Sequence, residues 1–256
     1  MRFASLGSGS RGNATLIEGG GTRLLVDCGY SAREFEARCA ELGVAAGDID
    51  ALLVTHEHGD HIRGVGALAR KYGMPVWMTH GTFRNARCGD IPDLRLFGIH
   101  TPPFVIGNLE VTPYAVPHDA REPSQFTFRH RECRFGMLTD AGSVTAHMIE
   151  VLGAMDALLL ECNHDPQMLY NGPYPPRLQA RVGGAYGHLS NLQAAALLAA
   201  IGEQKLQHLV LAHLSEKNNH PELAEAAVVG RCPGVGERLS ILQQQHCSGW
   251  FEIKDP

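Results

Sequence analysis

The feature that most constrains the fold of this chain is a dense run of metal-ligating side chains directly after an apolar segment. Residues 51–55 are typical of a buried strand, and the loop that leaves them reads His-Glu-His-Gly-Asp-His. In an extended chain the first two histidines point to the same side, and Gly59 is expected to allow a sharp turn that brings the last two ligands to a neighbouring point. One segment could then give two ligands to each of two adjacent metal ions. The four potential ligands are His56, His58, Asp60 and His61.

Four further apolar segments end on a residue that could serve the same site. Imidazole and carboxylate groups suit zinc, and also manganese or iron. A polar residue at a strand end is common, so each segment alone is weak evidence, and a solvated histidine-rich turn is the alternative for the hexapeptide itself. The four strand-end residues are Asp27, His118, Asp140 and His213.

The hexapeptide resembles the HxHxDH signature of the metallo-β-lactamase superfamily. The four strand ends resemble, in chain order, the first, third, fourth and fifth motifs of that superfamily. The resemblance implies an α/β protein with the four-layer αββα sandwich, formed as a single domain over residues 1–256. It also implies two divalent metal ions per chain, either zinc or manganese, with iron as an alternative.

The same resemblance implies which residues bind each ion. One ion would be bound by His56, His58 and His118. The other would be bound by Asp60, His61 and His213. Asp140 would bridge both ions together with a hydroxide, and Asp27 would orient a ligand or the motif loop. Two ions about 3.5–4 Å apart lower the pKa of a shared water towards about 7 and hold the attacking and leaving oxygens, which is the chemistry of ester or phosphoester hydrolysis.

Composition limits the class of protein. A content of 44% hydrophobic and 19% charged residues is ordinary for a globular chain. The seven cysteines are odd in number and form no CxxC pair, which argues for a reducing compartment, so we expect a cytoplasmic protein. No apolar run reaches membrane-spanning length, and the first seven residues are typical of a strand rather than a signal peptide. A net charge of -5 means that DNA binding would require a local basic patch.

Strands and helices alternate in two rounds, each expected to form one sheet with helices outside it. Ser31 is expected to cap a helix that runs to Leu42, and Ser143 is expected to cap a helix that runs to about Gly153. The Ala/Leu-rich stretch 191–201 predicts a further helix. The last strand is expected within residues 248–253.

Four longer motifs resemble the YycJ-type branch of the superfamily, also called WalJ or VicX. They read SLGSGSRGNA at 5–14, LLLECNHD at 158–165, GHLSN at 187–191 and HLSEKNNHPEL at 213–223. The branch is associated with manganese-supported 5′→3′ exonuclease activity on double-stranded DNA, and the resemblance implies that function here. The ligand spacing alone implies only a dinuclear hydrolase. Residues 8–13 could equally be a simple hairpin turn.

Three residues are candidates for catalysis beside the metals. His188 resembles the accessory histidine of related nucleases, and would contact the scissile phosphate or assist the leaving group. Glu161 lies at a strand end and would orient His188 or His213, since a buried carboxylate needs a partner. Asp60 is counted as catalytic as well as metal-binding. The alternatives are an ordinary loop position for His188 and a structural role for His164.

The segment 170–187 carries two arginines and three tyrosines and leads directly into the accessory histidine. Arginine forks suit phosphate, and tyrosine faces suit an exposed base. Arg177 and Arg181 are therefore predicted to bind DNA next to the metal pair. An ordinary packed loop with a short helix is the alternative.

Other function classes stay open from the sequence. One is a small-molecule hydrolase of the same fold, either a cyclic-phosphate phosphodiesterase of the PhnP type or a thioester or lactone hydrolase. Another is a non-catalytic structural protein, against which the full ligand set argues. A β-CASP ribonuclease of the RNase J kind is excluded, because no large domain is inserted between the fourth and fifth metal motifs. The physiological metal and the oligomeric state cannot be derived from these residues.

Overall fold

The apolar segments of the chain form two seven-stranded sheets, seen in a computed structural model that describes residues 1–255. The strands of the first sheet are, in spatial order, β14 (Phe251–Glu252), β1 (Arg2–Gly7), β2 (Ala14–Gly19), β3 (Thr22–Val26), β4 (Ala51–Leu53), β5 (Val76–Thr79) and β6 (Leu94–Phe97). Those of the second sheet are β13 (Leu239–Ile241), β12 (His208–Ala212), β11 (Ala157–Glu161), β10 (Cys133–Leu138), β9 (Ser124–His130), β8 (Leu109–Ala115) and β7 (Phe104–Ile106).

The two sheets repeat one pattern of strand direction. In the first sheet β1, β2 and β3 pair antiparallel, and β3 to β6 then pair parallel. In the second sheet β7 to β10 pair antiparallel, and β10 to β13 then pair parallel. The expected division of the chain into two similar halves is therefore confirmed.

Nine helices accompany the sheets within residues 1–255. They are α1 (Ala32–Glu41), α2 (Gly59–Ile62), α3 (Val65–Tyr72), α4 (His80–Asn85), α5 (Ala146–Leu152), α6 (Pro166–Asn171), α7 (Pro176–Val182), α8 (Asn191–Ile201) and α9 (Pro221–Arg231). Short 3₁₀ turns are formed by Ala46–Asp48 and Pro233–Arg238. No helix in the described part of the chain is long and apolar enough to cross a membrane.

Three apolar clusters show how these elements are layered. One packs α1 and α3 on the first sheet, one packs α5, α8 and α9 on the second, and one lies between the two sheets. Adjacent residues of β11 belong to different clusters: Leu159 faces the other sheet, while Leu158 and Leu160 face helices. Across the sheet interface Phe3 stacks on Phe135 with 4.0 Å between ring centroids. The four-layer αββα sandwich is confirmed, and each fully buried side chain of this size contributes about 1.5–3 kcal/mol.

Of the two helix N-caps predicted from the sequence, one is confirmed and the other is wrong. Ser31 caps α1 as predicted, since its hydroxyl accepts the Glu34 N–H. The predicted cap at Ser143 is wrong: α5 begins two residues later, and Thr145 accepts the Met148 N–H at 3.2 Å. The Ser143 hydroxyl instead donates to the Ala185 carbonyl at 3.1 Å, so that it ties the segment before His188 to this loop.

The segment 170–187 contains more helix than its composition predicts. Asp165 caps α6, and the prolines before and within α7 fix the backbone at its start. The helix α7 buries none of its side chains. It is therefore held by its ends and by polar contacts rather than by an apolar face.

Candidate metal centre and catalytic cleft

The candidate ligands lie where parallel strands of both sheets end. Asp27 follows β3, Asp140 follows β10 and His213 follows β12. All three have left-handed backbone conformations, with φ of 60°, 57° and 56°. Such values are uncommon outside glycine and persist only where surrounding structure enforces them, which is typical of functional sites. The sandwich thus orders three strained strand ends around one point.

Three histidines from the motif and from the loop after β8 converge on each other. His56 Nε2 lies 3.0 Å from His58 Nδ1, and His118 Nε2 lies 3.2 Å from the same Nδ1. Burial, and then the neighbouring His61, lower the pKa of His56 well below the usual histidine value. Burial also lowers the pKa of His118. Burial thus favours the neutral form of His56 and His118, which is the form that ligates a metal.

The outer nitrogens of two of these rings are fixed by hydrogen bonds. His56 Nδ1 lies 3.0 Å from Thr55 Oγ1, and that hydroxyl donates to Asp27 Oδ2 at 2.8 Å. His118 Nδ1 donates to the Gly187 carbonyl at 3.0 Å. Partners of this kind set the tautomer and the ring orientation, so both Nε2 atoms face the common point.

A second group of ligands lies beside the first. His61 Nε2 is 3.7 Å from Asp60 Oδ2, and His213 Nε2 is 3.7 Å from the same oxygen. Asp140 Oδ2 is 3.0 Å from His61 Nε2, and ligand atoms of Asp140, His56 and His61 all lie within 4.8 Å of one another. Asp140 therefore contacts members of both groups. His61 Nδ1 lies 2.8 Å from Asp27 Oδ2, so this carboxylate orients the ring from behind.

The donor set fits a bound cation. Within residues 1–255, His213 Nε2 is buried without a hydrogen-bond partner, and Asp140 Oδ2 is buried with no partner in hydrogen-bond geometry, although His61 Nε2 lies 3.0 Å away. A buried polar atom without a partner costs about 1–3 kcal/mol, and a metal ion at this point would satisfy both atoms. Imidazole nitrogens and carboxylate oxygens are the ligands that zinc, manganese and iron accept. The residues present therefore fit divalent metal binding.

The second group also carries strong charge coupling. Burial alone would lower the pKa of His213, but Asp140 and then Asp60 and Glu161 outweigh it and raise the pKa to about 10. Burial likewise opposes ionisation of Asp140, yet the charges of His213 and His61 hold its pKa well below the usual value. A divalent ion bound here would supply the positive charge that Asp140 otherwise takes from protonated imidazoles, and its binding would release protons.

Glu161 and His188 form a pair next to Asp140. His188 Nδ1 lies 2.8 Å from Glu161 Oε1, and the backbone N–H groups of Ala141 and Leu189 donate to Glu161 Oε2. Burial would raise the pKa of Glu161, but His188 outweighs it and lowers the pKa to about 2. His188 lines the cleft while its Nδ1 is engaged, so Nε2 is the nitrogen free to meet a substrate.

Four of the candidate ligands, His58, Asp60, Asp140 and His213, line a cleft of about 360 Å³. Arg181 lines the same cleft, and its Nε donates to Asp119 Oδ2 at 2.5 Å. Asp119 Oδ1 lies 3.5 Å from His118 Nε2, so this carboxylate connects the arginine to the first histidine group. The structure does not bring Arg177 to the cleft, although it lies on the same helix, α7.

The turn between β1 and β2 joins the two halves of the site, a role that the sequence did not reveal. The Asn13 N–H donates to the Asp60 carbonyl at 2.8 Å, and Asn13 Nδ2 lies 3.1 Å from His61 Nε2. The Ser8 hydroxyl accepts the His213 N–H at 2.9 Å. The clustering of Gly, Ser and Asn at 5–14 was the available signal. His164, in contrast, is buried outside the cleft, and burial lowers its pKa to about 4.

The turn expected at Gly59 is made by the short helix α2, which Gly59 opens without a positive φ. It therefore does not depend on the conformational freedom of glycine. The position that requires glycine is Gly29: a Cβ there would collide with the Asp60 carbonyl and lie 2.6 Å from Gly12 Cα.

These two glycines give a matched pair of variants. Gly29→Ala should lower the free energy of unfolding by about 1–3 kcal/mol because the motif backbone must move. Gly59→Ala meets nothing within 4 Å, and alanine is favoured over glycine in a helix by about 1 kcal/mol. Urea unfolding of both variants checks the difference. An equal decrease in the free energy of unfolding of both variants would contradict the close approach of Gly29 to the motif.

A family model described as the beta-lactamase superfamily domain matches residues 22–214. Exodeoxyribonuclease YycJ of Bacillus anthracis is 36% identical over 248 residues, which cover 94% of each chain. Exodeoxyribonuclease WalJ of Streptococcus pneumoniae is 36% identical over 253 residues, covering 94% of this chain and 93% of its own. The metallo-β-lactamase fold protein YhfI of Bacillus subtilis superposes with a TM-score of 0.74 at 17% identity, covering 96% of this chain and 98% of that one, a likeness of fold alone.

Proposed function

This chain belongs to the β-lactamase superfamily, and on that premise we propose that it is a metal-dependent exodeoxyribonuclease that degrades double-stranded DNA from 5′ to 3′. The observation that carries the proposal is the 36% identity, over 94% of both chains, to a relative named as an exodeoxyribonuclease. The donor set at the strand ends supports it, because it fits the metal that such hydrolysis requires. DNA is accordingly the proposed partner.

The residues of the two ligand groups have distinct tasks in this proposal. His56, His58 and His118 would hold one divalent ion. Asp60, His61 and His213 would hold the other. Asp140 would touch both, and Asp27 would keep His61 and the motif strand in place through the contacts given above. Two such ions, zinc or manganese with iron as an alternative, would supply Lewis acidity, a water of lowered pKa and charge compensation at the phosphate.

His188 would handle the proton at the leaving oxygen. Its Nδ1 is bound to Glu161, so the ring presents Nε2 to the cleft. The buried carboxylate favours the imidazolium form, which can donate from Nε2 when the P–O bond breaks. Glu161 is a positioning residue, since it reaches the substrate only through His188. Asp60 would take part in catalysis as a ligand of the second ion, beside His61 and His213.

Arg181 would release Asp119 and bind a DNA phosphate at the edge of the cleft. Arg181→Ala should weaken DNA binding and flatten the slope of log affinity against log salt by about 0.9, the value for one lost phosphate contact. Arg177→Ala is the matched control, because the residue is exposed on the same helix and lies outside the cleft. Fluorescence anisotropy at several salt concentrations measures both. An equal effect of the two variants would assign the loss to the helix α7 as a whole.

The cytoplasm is the proposed location. All seven cysteines are free in the described chain. Burial raises the pKa of the Cys28 and Cys39 thiols to about 12, so these thiols stay protonated and poorly reactive. A chain that keeps its thiols in this state suits a reducing compartment.

The decisive experiment compares substrates. Purified protein with manganese or zinc is incubated with linear duplex DNA labelled at the 5′ or 3′ end, and with chromogenic phosphodiesters, thioesters and lactones. We expect early release of short products from the 5′ label and progressive loss of the duplex. Intact DNA beside rapid turnover of a cyclic phosphate or thioester would replace the nuclease with the small-molecule hydrolase.

A further inference from the structure

Part of the lining of the catalytic cleft is apolar and has no task in the chemistry described above. Leu178 and Val182 of α7 line the cleft, together with Tyr174, which lies two residues before this helix. The two aliphatic residues are four positions apart and therefore share one face of the helix with Arg181. Because α7 buries none of its side chains, this face is not used up by packing in the core. It is available to a ligand in the cleft.

Tyr174 is carried by a stiff segment of backbone. Pro173 and Pro175 flank it directly in the sequence. Proline fixes its own φ and restricts the residue before it to extended conformations, so few backbone states are open to the tyrosine. Gln179 Nε2 also donates to the Tyr170 carbonyl at 3.2 Å, which ties α7 back to α6. A side chain on a backbone ordered in this way binds a ligand with a smaller loss of conformational entropy.

The loop after β12 brings a cation to the tyrosine. Gly172 lies so close to this loop that a Cβ there would be 2.5 Å from Asn218 Oδ1. The neighbouring Lys217 places its ammonium group 5.9 Å from the centroid of the Tyr174 ring, which is within the range of a cation–π contact. Ser215 of the same loop lines the cleft. An aromatic ring, aliphatic side chains and a cation thus lie close together at the catalytic cleft.

This combination suits a planar base that is attached to phosphates. An aromatic side chain can stack on any base, because every base has a π-face. Arg181 in the cleft and Lys217 beside the tyrosine can compensate the charge of the phosphates that accompany the base. The acyl chain of a thioester or lactone would need neither an aromatic ring nor cations. The chemistry of the lining therefore favours a nucleotide.

We propose that Tyr174, with Leu178 and Val182, forms a base-stacking site beside the metal ligands. The proposal rests on the nuclease function proposed above and deepens it, because it assigns residues that bind a nucleobase rather than a phosphate. Stacking tolerates any base, so the site holds the strand without reading its sequence. A base within a duplex is covered by its neighbours, so the nucleotide that binds here must first leave the stack.

The test removes the base and the tyrosine separately and together. Linear duplexes carry an abasic tetrahydrofuran unit at the first, second or third nucleotide of the 5′ end. The first cleavage with manganese is followed under single-turnover conditions for wild-type protein and for Tyr174→Ala. In wild-type protein the abasic unit should slow cleavage at one of these positions by about 5–150-fold, equivalent to about 1–3 kcal/mol for one stacked base. Tyr174→Ala should slow cleavage of intact duplex to a similar extent and lose little more on that abasic duplex.

Three further variants separate stacking from support of the fold. Tyr174→Phe keeps the ring and should cleave intact duplex at close to the wild-type rate. Tyr174→Leu keeps only an apolar side chain and should resemble the alanine variant. Tyr170→Ala is the matched control and should behave as wild type, because this side chain is 78% exposed and lies outside the cleft.

Two results would overturn the stacking site alone. One is equal slowing of intact and abasic duplexes by Tyr174→Ala, which would mean that the residue only supports α7. The other is a wild-type protein that degrades linear duplex and is insensitive to the abasic unit at all three positions. Wild-type protein that leaves linear duplex intact would overturn the nuclease proposal and the stacking site with it.

Discussion

Protein carrying Asp140→Ala should be purified with neither metal ion bound and should not hydrolyse DNA. Ligand atoms of Asp140 lie within 4.8 Å of His56 in the first group and of His61 in the second, so Asp140 is the candidate bridging ligand. Loss of a partner that merely orients a ligand costs about 10–100-fold in metal affinity, so loss of a shared ligand should cost more at each site. Elemental analysis of the purified variant measures the metal content directly.

Asp60→Ala is the comparison variant that tests whether Asp140 bridges both ions. Asp60 contacts only His61 and His213 of the ligand set, so its loss should deplete mainly the second ion. Asp140→Asn keeps the shape of the side chain and should show the same double loss as the alanine variant, with less effect on folding. Two full equivalents of metal in Asp140→Ala protein would rule out the bridging role.

The convergence of the candidate ligands could be predicted from the sequence, because the motif and the other candidates come after strands. Apolar runs identify the strands, and parallel strands of one sheet end at the same edge, so Asp140 and His213 had to lie close together. The motif itself is local, which places His56, His58 and His61 within one loop. The two-sheet sandwich followed from the two rounds of strands and helices.

Other features depend on contacts between distant segments, which no local pattern contains. Ser143 and Thr145 are equally good caps by type, and the Ala185 carbonyl that engages Ser143 decides between them. Arg177 and Arg181 are alike by composition, but only Arg181 meets Asp119, 62 residues away. An ion pair between Arg11 and Glu216, 205 residues apart, cannot be seen in the sequence for the same reason. Sequence patterns thus specify which groups a site contains, and packing decides which of them point at one another.

His188→Ala should keep both metals and the fold while turnover falls by roughly 10²–10⁴, the range for one general acid–base group. His188 is partly exposed in the cleft, its Nδ1 lies 3.3 Å from Asp140, and its ring stacks beside His213 with 5.2 Å between ring centroids. His147→Ala, an exposed substitution on α5, is the control for histidine loss without effect. Single-turnover rates measure the chemical step, metal analysis measures ion binding, and thermal unfolding measures stability. Unchanged turnover would mean that His188 is an ordinary loop residue without a catalytic role.

Glu161→Gln then distinguishes positioning from chemistry at the same pair. Burial favours neutral His188, and the charge of Glu161 outweighs burial to raise its pKa above the usual value. A glutamine can still accept the Nδ1 proton but removes that charge, so the pKa of His188 should fall. Because the protonated ring is the proton donor, the alkaline limb of the pH–rate profile should move to lower pH, with turnover at low pH less affected. A profile that drops evenly at all pH values would mean that Glu161 supports the fold of the loop after β11 and does not tune His188.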